Sequence, residues 1–289
     1  MAENKMKVIG TIKEIWRYPV KSMRGEQLNQ CVIGGKGIKG DRGWAVRDDT
    51  VKEIRGGRYL PELLDCSARY LTEPQEEPYL AATITLPDGT EIQSNADDIN
   101  QRLSDWVGNP VSIWPIQSID NTEHYRRLPL DEAKLRKEFA REPDEPIPDL
   151  SQFPEILMKY VSVPGTYFDV TPVQILTTSS LAFLHDKNPD SNWSTLRFRP
   201  NIVIDTGDDL ELVENNWLGK SIRLGEVELS CDAPTPRCAI TIHSQGEIVP
   251  ADPKILRTIV RESNQNLGLY CNVNQPGRIR KGQEVVLLA

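Results

Sequence analysis

Apolar and polar residues alternate in short runs along the first part of the chain, and a period of two is typical of β-strands. In the first run, over 7–16, Val8, Ile12 and Trp16 stand among polar positions. Similar runs follow at 28–33, 44–47, 79–86 and 111–116. Glycine-rich segments and a Pro-Asp-Gly turn at 87–89 separate them, which is the pattern of a small barrel or sandwich.

One amphipathic helix is predicted among these strands. A helix over 97–107 would place Ile99, Leu103, Trp106 and Val107 on one face, with Gly108 as its C-terminal stop. We expect this helix to plug or flank the barrel.

The composition changes between about 119 and 165, where charges and prolines are frequent and core-forming residues are few. We interpret this segment as a surface insertion or linker whose first part forms an exposed helix. The alternative is an element that binds a partner.

The second half returns to short strands and adds two helices. Strands are predicted at 168–176, 201–205, 221–224, 226–231, 239–243 and 284–288, and helices at 178–185 and 252–263. In the second helix, Asp252 is the expected N-cap and Pro253 the first helical residue. The predicted fold class is mainly β with some α.

The composition of the chain argues against several classes of protein and site. The 289 residues carry 34 Lys and Arg against 42 Asp and Glu, a net charge of −8, which argues against binding of duplex nucleic acid. The five cysteines are odd in number, widely spaced and without a C-x-x-C pair, so neither a disulfide framework nor a zinc site is indicated. No apolar run approaches the roughly 18 residues of a membrane span, and no signal peptide is evident. We therefore expect a cytoplasmic protein without a transmembrane segment.

One cysteine has a chemically suggestive setting. Cys238 follows Arg237 and two prolines in the segment CDAPTPRCAITIH. A neighbouring cation lowers a thiol pKa and favours the thiolate that binds metals or attacks electrophiles. The alternative is an inert thiol in the core, since free cysteines are commonly buried.

Cations also stand beside turn-forming residues at three places: Lys21-Ser22, Asp41-Arg42 and Arg199-Pro200-Asn201. Such cations could converge on an anionic ligand, for which Arg is well suited, or they could be solvated surface charges. The three histidines show no metal-ligand spacing, and the motifs of dinucleotide-binding folds, P-loops and nucleophile elbows are absent from the sequence.

Taken together, these segments resemble the MOSC superfamily, named for the C-terminal domain of molybdenum cofactor sulfurase, and especially its two-part members related to the mitochondrial amidoxime-reducing component. IWRYPVKSMRG and GDRGWAVRD are similar to the N-terminal β-barrel domain of that family. RFRPNIVID, NNWLGKSIRLGEVEL, PTPRCAIT and PGRIRKGQEVVLL are similar to the MOSC domain. The resemblance implies an N-terminal β-barrel domain over 1–118, the insertion or linker over 119–165, and a MOSC β-barrel domain with flanking helices over 166–289.

The resemblance also implies a site. Cys238 would be the catalytic residue and the thiolate ligand of molybdenum in a pterin cofactor, Mo-molybdopterin. The implied cofactor-binding residues are Lys21, Ser22, Arg42, Asp169, Thr171, Arg199, Asn201 and Arg237. A phosphate and a dithiolene need such cations and hydrogen-bond donors. Val170 and Pro236 depart from the family pattern, because the amidoxime-reducing relatives have a hydroxyl residue and a serine there.

The activity implied by the resemblance is reduction of N-hydroxylated compounds, such as amidoximes and hydroxylamines, by a molybdenum-dependent oxidoreductase. The sequence has no cysteine cluster for an iron–sulfur centre, so two electrons must come from a separate partner. A cytochrome b5-like or ferredoxin-like protein with its reductase would serve.

Two alternatives stay open. In the first, Cys238 holds a persulfide and the protein carries sulfur for metal–sulfur cluster or cofactor assembly, which also needs a reactive thiol. In the second, the protein stores or hands on the pterin without turnover.

Overall fold

The computed structural model describes residues 7–74, 80–151, 153–207 and 209–288. The strands of these residues are β1 (Lys7–Arg17), β2 (Glu26–Leu28), β3 (Gln30–Gly34), β4 (Gly37–Ile38), β5 (Trp44–Asp48), β6 (Glu53–Ile54), β7 (Ser67–Arg69), β8 (Thr83–Thr85), β9 (Glu91–Gln93), β10 (Val111–Pro115), β11 (Val173–Thr177), β12 (Ile202–Asp205), β13 (Ser221–Leu224), β14 (Val227–Pro236), β15 (Asn266–Gln275), β16 (Gly277–Arg280) and β17 (Glu284–Leu288). The α-helices are α1 (Ile99–Val107), α2 (Thr122–Tyr125), α3 (Glu132–Glu138), α4 (Ile156–Lys159), α5 (Thr178–Lys187) and α6 (Lys254–Ser263). Short 3₁₀ helices are formed by Pro61–Leu64, Thr195–Arg197, Val213–Trp217 and Ala239–Ile242.

A closed seven-stranded β-barrel is the centre of the fold. Its strands follow the order β12-β11-β15-β14-β13-β17-β1, and β1 pairs back onto β12 to close the ring. Ile15 of β1 lies opposite Ile202 of β12, while Val8 of β1 lies opposite Val286 of β17. The first strand of the chain is therefore part of the same barrel as the last.

The period-two pattern explains why these segments form barrel strands. Along β14, Val227, Leu229 and Cys231 are buried, and Glu228 and Ser230 between them are only partly buried. Side chains of alternate residues point to opposite faces of a strand, so one face of β14 fills the barrel interior. The predicted fold class, mainly β with some α, is confirmed.

A second hydrophobic core is formed by residues before 115. It joins the small sheet β10-β5-β6 to the sheet β7-β8-β9, and Ile99 and Leu103 of α1 pack into it. The predicted helix is confirmed, and Gly108 ends it in the left-handed conformation with φ 73°. Trp106 of the same predicted face is 40% exposed and donates from its indole nitrogen to Glu62 O.

Several elements differ from the sequence predictions. The strand predicted at 239–243 is the 3₁₀ helix Ala239–Ile242, because Thr241 donates both its backbone N–H and its hydroxyl to Cys238 O. The strand predicted at 168–176 begins only at Val173. The long strand β15 and the strand β16 were missed, as were the short strands β4, β6, β7 and β9.

The segment 119–165 also differs from the expected exposed insertion. Tyr125, Glu138 and Phe139 within it are buried, and it contains the short helices α2, α3 and α4. Its many charges predict solvation, but Glu138 is buried and paired with Arg58 outside the segment and with Arg127 within it. The domain boundaries at 118 and 165 stay a prediction.

In the described part of the chain, no helix combines the length and the apolar character that crossing a membrane requires.

Candidate functional site

A narrow cleft of about 80 Å³ brings together residues from both halves of the chain. Its lining includes all nine residues that the family resemblance indicated: Lys21, Ser22, Arg42, Asp169, Thr171, Arg199, Asn201, Arg237 and Cys238. Eight of them come from segments directly after β1, before β11 and β12, and after β14, while Arg42 lies between β4 and β5. Because β1, β12 and β11 are adjacent in the barrel and only β15 separates β11 from β14, distant parts of the sequence meet at one place.

Cys238 is the free cysteine that remains partly accessible, since the other four, all within the described residues, are buried. It directly precedes the 3₁₀ helix Ala239–Ile242. Burial raises the pKa of the Cys238 thiol above its usual value, and the charge of Arg58 acts most strongly in the opposite direction. The expectation of a lowered thiol pKa is therefore wrong in its net direction, because burial outweighs the neighbouring charges.

The guanidinium of Arg237 is held by backbone carbonyls. Its Nε donates to Leu267 O at 2.9 Å and its Nη1 donates to Phe198 O at 2.8 Å. The guanidinium also stacks over the Phe198 ring, 5.4 Å from its centroid. Burial lowers the pKa of Arg237 to about 10. Its main structural effect is to join the segment after β14 to the segments before β12 and within β15.

An ion pair connects the two halves within the cleft. Lys21 Nζ lies 2.6 Å from Asp169 Oδ1 and donates to Tyr167 O at 2.8 Å. Burial lowers the pKa of Lys21, and Asp169 opposes this effect. Burial would raise the pKa of Asp169, but Lys21 and Arg58 hold it well below its usual value. Each of the two groups is therefore the strongest charge acting on the pKa of the other.

Three of the lining residues have left-handed backbones, although none is glycine. The φ angles are 71° for Ser22, 50° for Arg42 and 53° for Arg199. This conformation is uncommon for residues with a Cβ, and strained backbones of this kind cluster at functional sites.

Arg199 has an unused hydrogen-bond donor. Its Nη1 donates to Met23 O at 2.8 Å, and its guanidinium lies 4.3 Å from the centroid of the Tyr18 ring. Its Nη2 is buried without a hydrogen-bond partner. Burial also lowers the pKa of Arg199 to about 10. An unpaired buried guanidinium nitrogen is costly unless a ligand supplies an acceptor.

Thr171 and Asn201 line the cleft but use their polar atoms to hold the strands. Thr171 Oγ1 donates to Val173 O at 3.1 Å. Asn201 Oδ1 accepts from Gln174 N at 3.1 Å, and its Nδ2 donates to Asp41 Oδ2 at 2.9 Å. These bonds fix β11 against β12 at the cleft.

The donor set of the cleft fits a phosphorylated anionic cofactor. Five cations, Lys21, Arg42, Arg58, Arg199 and Arg237, line it together with a single carboxylate, Asp169. Gly56 keeps the wall open, since a Cβ there would lie 2.9 Å from Ser22 Oγ. A cationic, donor-rich cleft beside an accessible thiol suits a pterin phosphate with a metal at its other end.

A larger chamber of about 520 Å³ adjoins the cleft, and no sequence pattern predicted it. The two cavities share Arg58, Asp169, Pro236, Cys238 and Tyr270 in their walls. Arg58 follows two glycines in a segment rich in arginine, and this pattern was the signal that could have indicated it. Val170 and Pro236, the two departures from the family pattern, both line the chamber.

Comparison with known families agrees with this architecture. The model of the MOSC N-terminal β-barrel domain matches residues 9–126, and the model of the MOSC domain matches residues 162–286. The chain therefore belongs to the MOSC superfamily and carries both of these domains.

Individual relatives are more distant. The mitochondrial amidoxime-reducing component 2 of Bos taurus is 23% identical over 97% of this chain and 84% of its own length. Molybdenum cofactor sulfurase 1 of Aedes aegypti is 32% identical, over 38% of this chain and 15% of its own length. Among solved structures, the YUAD protein of Bacillus subtilis covers 99% of both chains with a TM-score of 0.47 and 13% identity.

Proposed function

We propose that this protein is a molybdenum-cofactor-dependent oxidoreductase that reduces N-hydroxylated compounds such as amidoximes and hydroxylamines. The single observation that carries the proposal is the convergence of nine family-pattern residues on one cationic cleft, with Cys238 at its junction with an open chamber. The names of the amidoxime-reducing relatives, which match over most of their length, support it.

The overall reaction balances as follows. The N–O bond of the substrate breaks, two electrons and two protons are consumed, and the oxygen leaves as water. The molybdenum pterin, when bound, would supply the two-electron redox chemistry.

The residues of this chain would bind and orient the cofactor. Cys238 would ligate the metal as a thiolate. Because burial favours the protonated form of the free thiol, metal binding must release this proton. Arg199 would donate its unpaired Nη2 to the phosphate. Lys21 and Arg42 would compensate the remaining anionic charge, while Asp169 would accept from pterin N–H groups.

The electrons would come from a separate protein. The described residues contain no group of three or more His, Cys, Asp or Glu side chains able to hold a metal ion, and the sequence has no cysteine cluster for an iron–sulfur centre. A cytochrome b5-like or ferredoxin-like donor with its reductase stays the proposal. The cytoplasmic location also stays a prediction, and the amidoxime-reducing relatives are named as mitochondrial.

A sulfur carrier with a persulfide on Cys238 is the second candidate. The observation that favours it is the partial accessibility of this thiol, together with the similarity of part of the chain to a molybdenum cofactor sulfurase. The raised pKa of the free thiol weakens it, because a persulfide acceptor reacts as the thiolate.

The test is reduction of an amidoxime by the holoprotein, with a reduced viologen dye as the electron source. We expect Cys238→Ser to abolish turnover and Cys31→Ala, which alters a buried thiol in the barrel core, to retain it. Undiminished turnover in Cys238→Ser would contradict the proposal. Labile sulfur on Cys238 without any turnover of the native protein would favour the sulfur carrier.

A further inference from the structure

The chamber above Cys238 is built by the segment 127–161. The segment contributes four polar lining residues, Arg127, Glu138, Ser151 and Glu155. Its other lining residues are hydrocarbon, aromatic or thioether side chains, among them Leu130, Leu135, Phe139, Leu150, Phe153 and Leu157, so the wall is mainly apolar.

Side chains of α6, of β15 and of the residues between them hold the segment 127–161 in place. Arg257 of α6 lies 2.5 Å from Glu145 Oε2 and also donates to Ala140 O. Gln265 Nε2 donates to Phe139 O at 3.2 Å. The ring of Phe153 meets the ring of Tyr270 edge-on, with centroids 6.1 Å apart. Since Tyr270 lines both cavities, this contact joins the chamber wall to the cofactor cleft.

The charged groups at the base of the chamber largely compensate one another. Arg58 Nη1 lies 3.2 Å from Glu138 Oε2, and Arg127 Nη1 lies 3.6 Å from Glu138 Oε1. The Tyr59 hydroxyl donates to the same carboxylate at 2.5 Å. A ligand at this base would meet a Glu138 carboxylate whose charge is already compensated. A charged ligand would therefore lose its hydration without gaining a strong ion pair with Glu138.

We infer that the segment 127–161 selects N-hydroxylated substrates that carry an uncharged apolar body, with that body in the chamber and the N–O group at Cys238. The inference rests on the proposed function, because it assigns the substrate class of the same site. It follows from three features: the chamber and the cleft meet at Cys238, the chamber wall is mainly apolar, and the charge of Glu138 in the chamber is compensated by arginines. A chamber of about 520 Å³ has room for a fused aromatic ring system.

The first experiment measures binding and does not need turnover. A naphthyl-substituted amide and a methyl-substituted amide, both without the N-hydroxyl group, are titrated into the full-length protein by ligand-observed NMR. We expect the naphthyl amide to bind at least about tenfold more tightly, since each buried CH₂-sized group contributes roughly 0.8 kcal/mol.

Two neighbouring positions on α4 provide matched variants. Leu157 lines the chamber, whereas its neighbour Ile156 is 37% exposed and is not among the lining residues found in the described part of the chain. We expect Leu157→Asp to weaken naphthyl amide binding about fivefold or more and Ile156→Asp to leave it unchanged. Leu157→Ala, which introduces no charge, should give a smaller loss in the same direction if the variant Leu157→Asp is poorly folded.

The second experiment compares kcat/KM for a naphthyl-substituted and a methyl-substituted amidoxime. A higher kcat/KM for the naphthyl amidoxime supports the inference if this preference is reduced in Leu157→Asp and unchanged in Ile156→Asp. Equal binding of the two amides, or equal effects at positions 156 and 157, overturns it. Selective binding of the naphthyl amide without reduction of either amidoxime would support the apolar selectivity of the chamber and contradict the proposed reductase activity.

Discussion

Lys21 Nζ and Asp169 Oδ1 lie 2.6 Å apart although 148 positions separate the two residues in the sequence. Lys21 follows β1, and Asp169 precedes β11. Their contact therefore places residues of the two MOSC-family domains in one site. The cleft depends on the association of both domains, and neither domain supplies the full set of cations.

Arg199 gives the most direct test of cofactor anchoring within the cleft. Arg199→Lys keeps a cation but loses the planar fork and the unpaired Nη2. Loss of a hydrogen bond to a charged group costs about 1.5–3 kcal/mol, so we expect cofactor affinity to fall about ten- to hundredfold. The measurement is the pterin released per chain, determined by fluorescence after oxidation.

The control for Arg199→Lys is Arg261→Lys, which alters an exposed arginine on α6. Pterin content should remain at the native level in this control. Native pterin content and affinity in Arg199→Lys would show that Arg199 does not bind the cofactor.

Arg58 should govern the reactivity of Cys238. Burial raises the pKa of this thiol and the charge of Arg58 opposes the rise, so Arg58→Met should raise the pKa further. We expect the alkylation rate of cofactor-free protein at neutral pH to fall, and the midpoint of its pH dependence to move upward. Mass spectrometry of iodoacetamide-treated protein measures the rate at Cys238, and Arg55→Met serves as a nearby control. A midpoint that does not move, or moves downward, would show that Arg58 does not act on the thiol.

His124 should make stability depend on acid pH. His124 Nε2 lies 2.7 Å from Tyr167 Oη, and Tyr167 O holds Lys21. Burial lowers the pKa of His124 from 6.5 to about 4. Between these values the unfolded chain binds the proton and the folded chain does not, so the free energy of unfolding falls as pH falls through this window.

The expected loss from His124 between about pH 7.5 and about pH 5 is about 2 kcal/mol. Urea unfolding at the two pH values measures it. The variant His124→Gln should show a smaller difference between the two pH values than the native protein. An equal difference in both proteins would exclude His124 as the cause.

Glu138 should stabilise the base of the chamber. Glu138→Gln leaves Arg58 and Arg127 without their shared carboxylate in a largely buried position. Removing one partner of a buried ion pair costs about 3 kcal/mol, so the free energy of unfolding should fall by this amount.

Glu132→Gln is the matched control for Glu138→Gln, because Glu132 belongs to the same helix and forms an exposed pair with Arg136. Its effect should stay below about 0.5 kcal/mol. Urea unfolding compares the two variants, and equal losses would contradict the buried role of Glu138.

Several barrel strands, although not β15, were predictable from the sequence because one face of each strand is buried. The alternation in β1, β13 and β17 gave their positions closely. The 3₁₀ helix after Cys238 was not predictable in this way, because ITI resembles a strand and only the bonds from Thr241 to Cys238 O reveal the turn.

The residues that the family resemblance implied meet in one cleft, and their roles stay a prediction. All nine residues from the family pattern line the cleft. The role of Arg58 was not predictable, since its charge reaches Cys238 only through the folding of distant segments. The burial of Glu138 was hidden for the same reason: two of its three partners, Arg58 and Tyr59, are about eighty positions away in the sequence.

Molybdenum content is the measurement that tests the central claim most directly. The native protein, Cys238→Ala and Cys31→Ala would be produced in a host that makes the pterin cofactor and analysed for molybdenum per chain. We expect about one molybdenum per chain in the native protein and in Cys31→Ala, and a large loss in Cys238→Ala. Metal-free native protein, or equal molybdenum in Cys238→Ala, would contradict the assignment of Cys238 as the metal ligand.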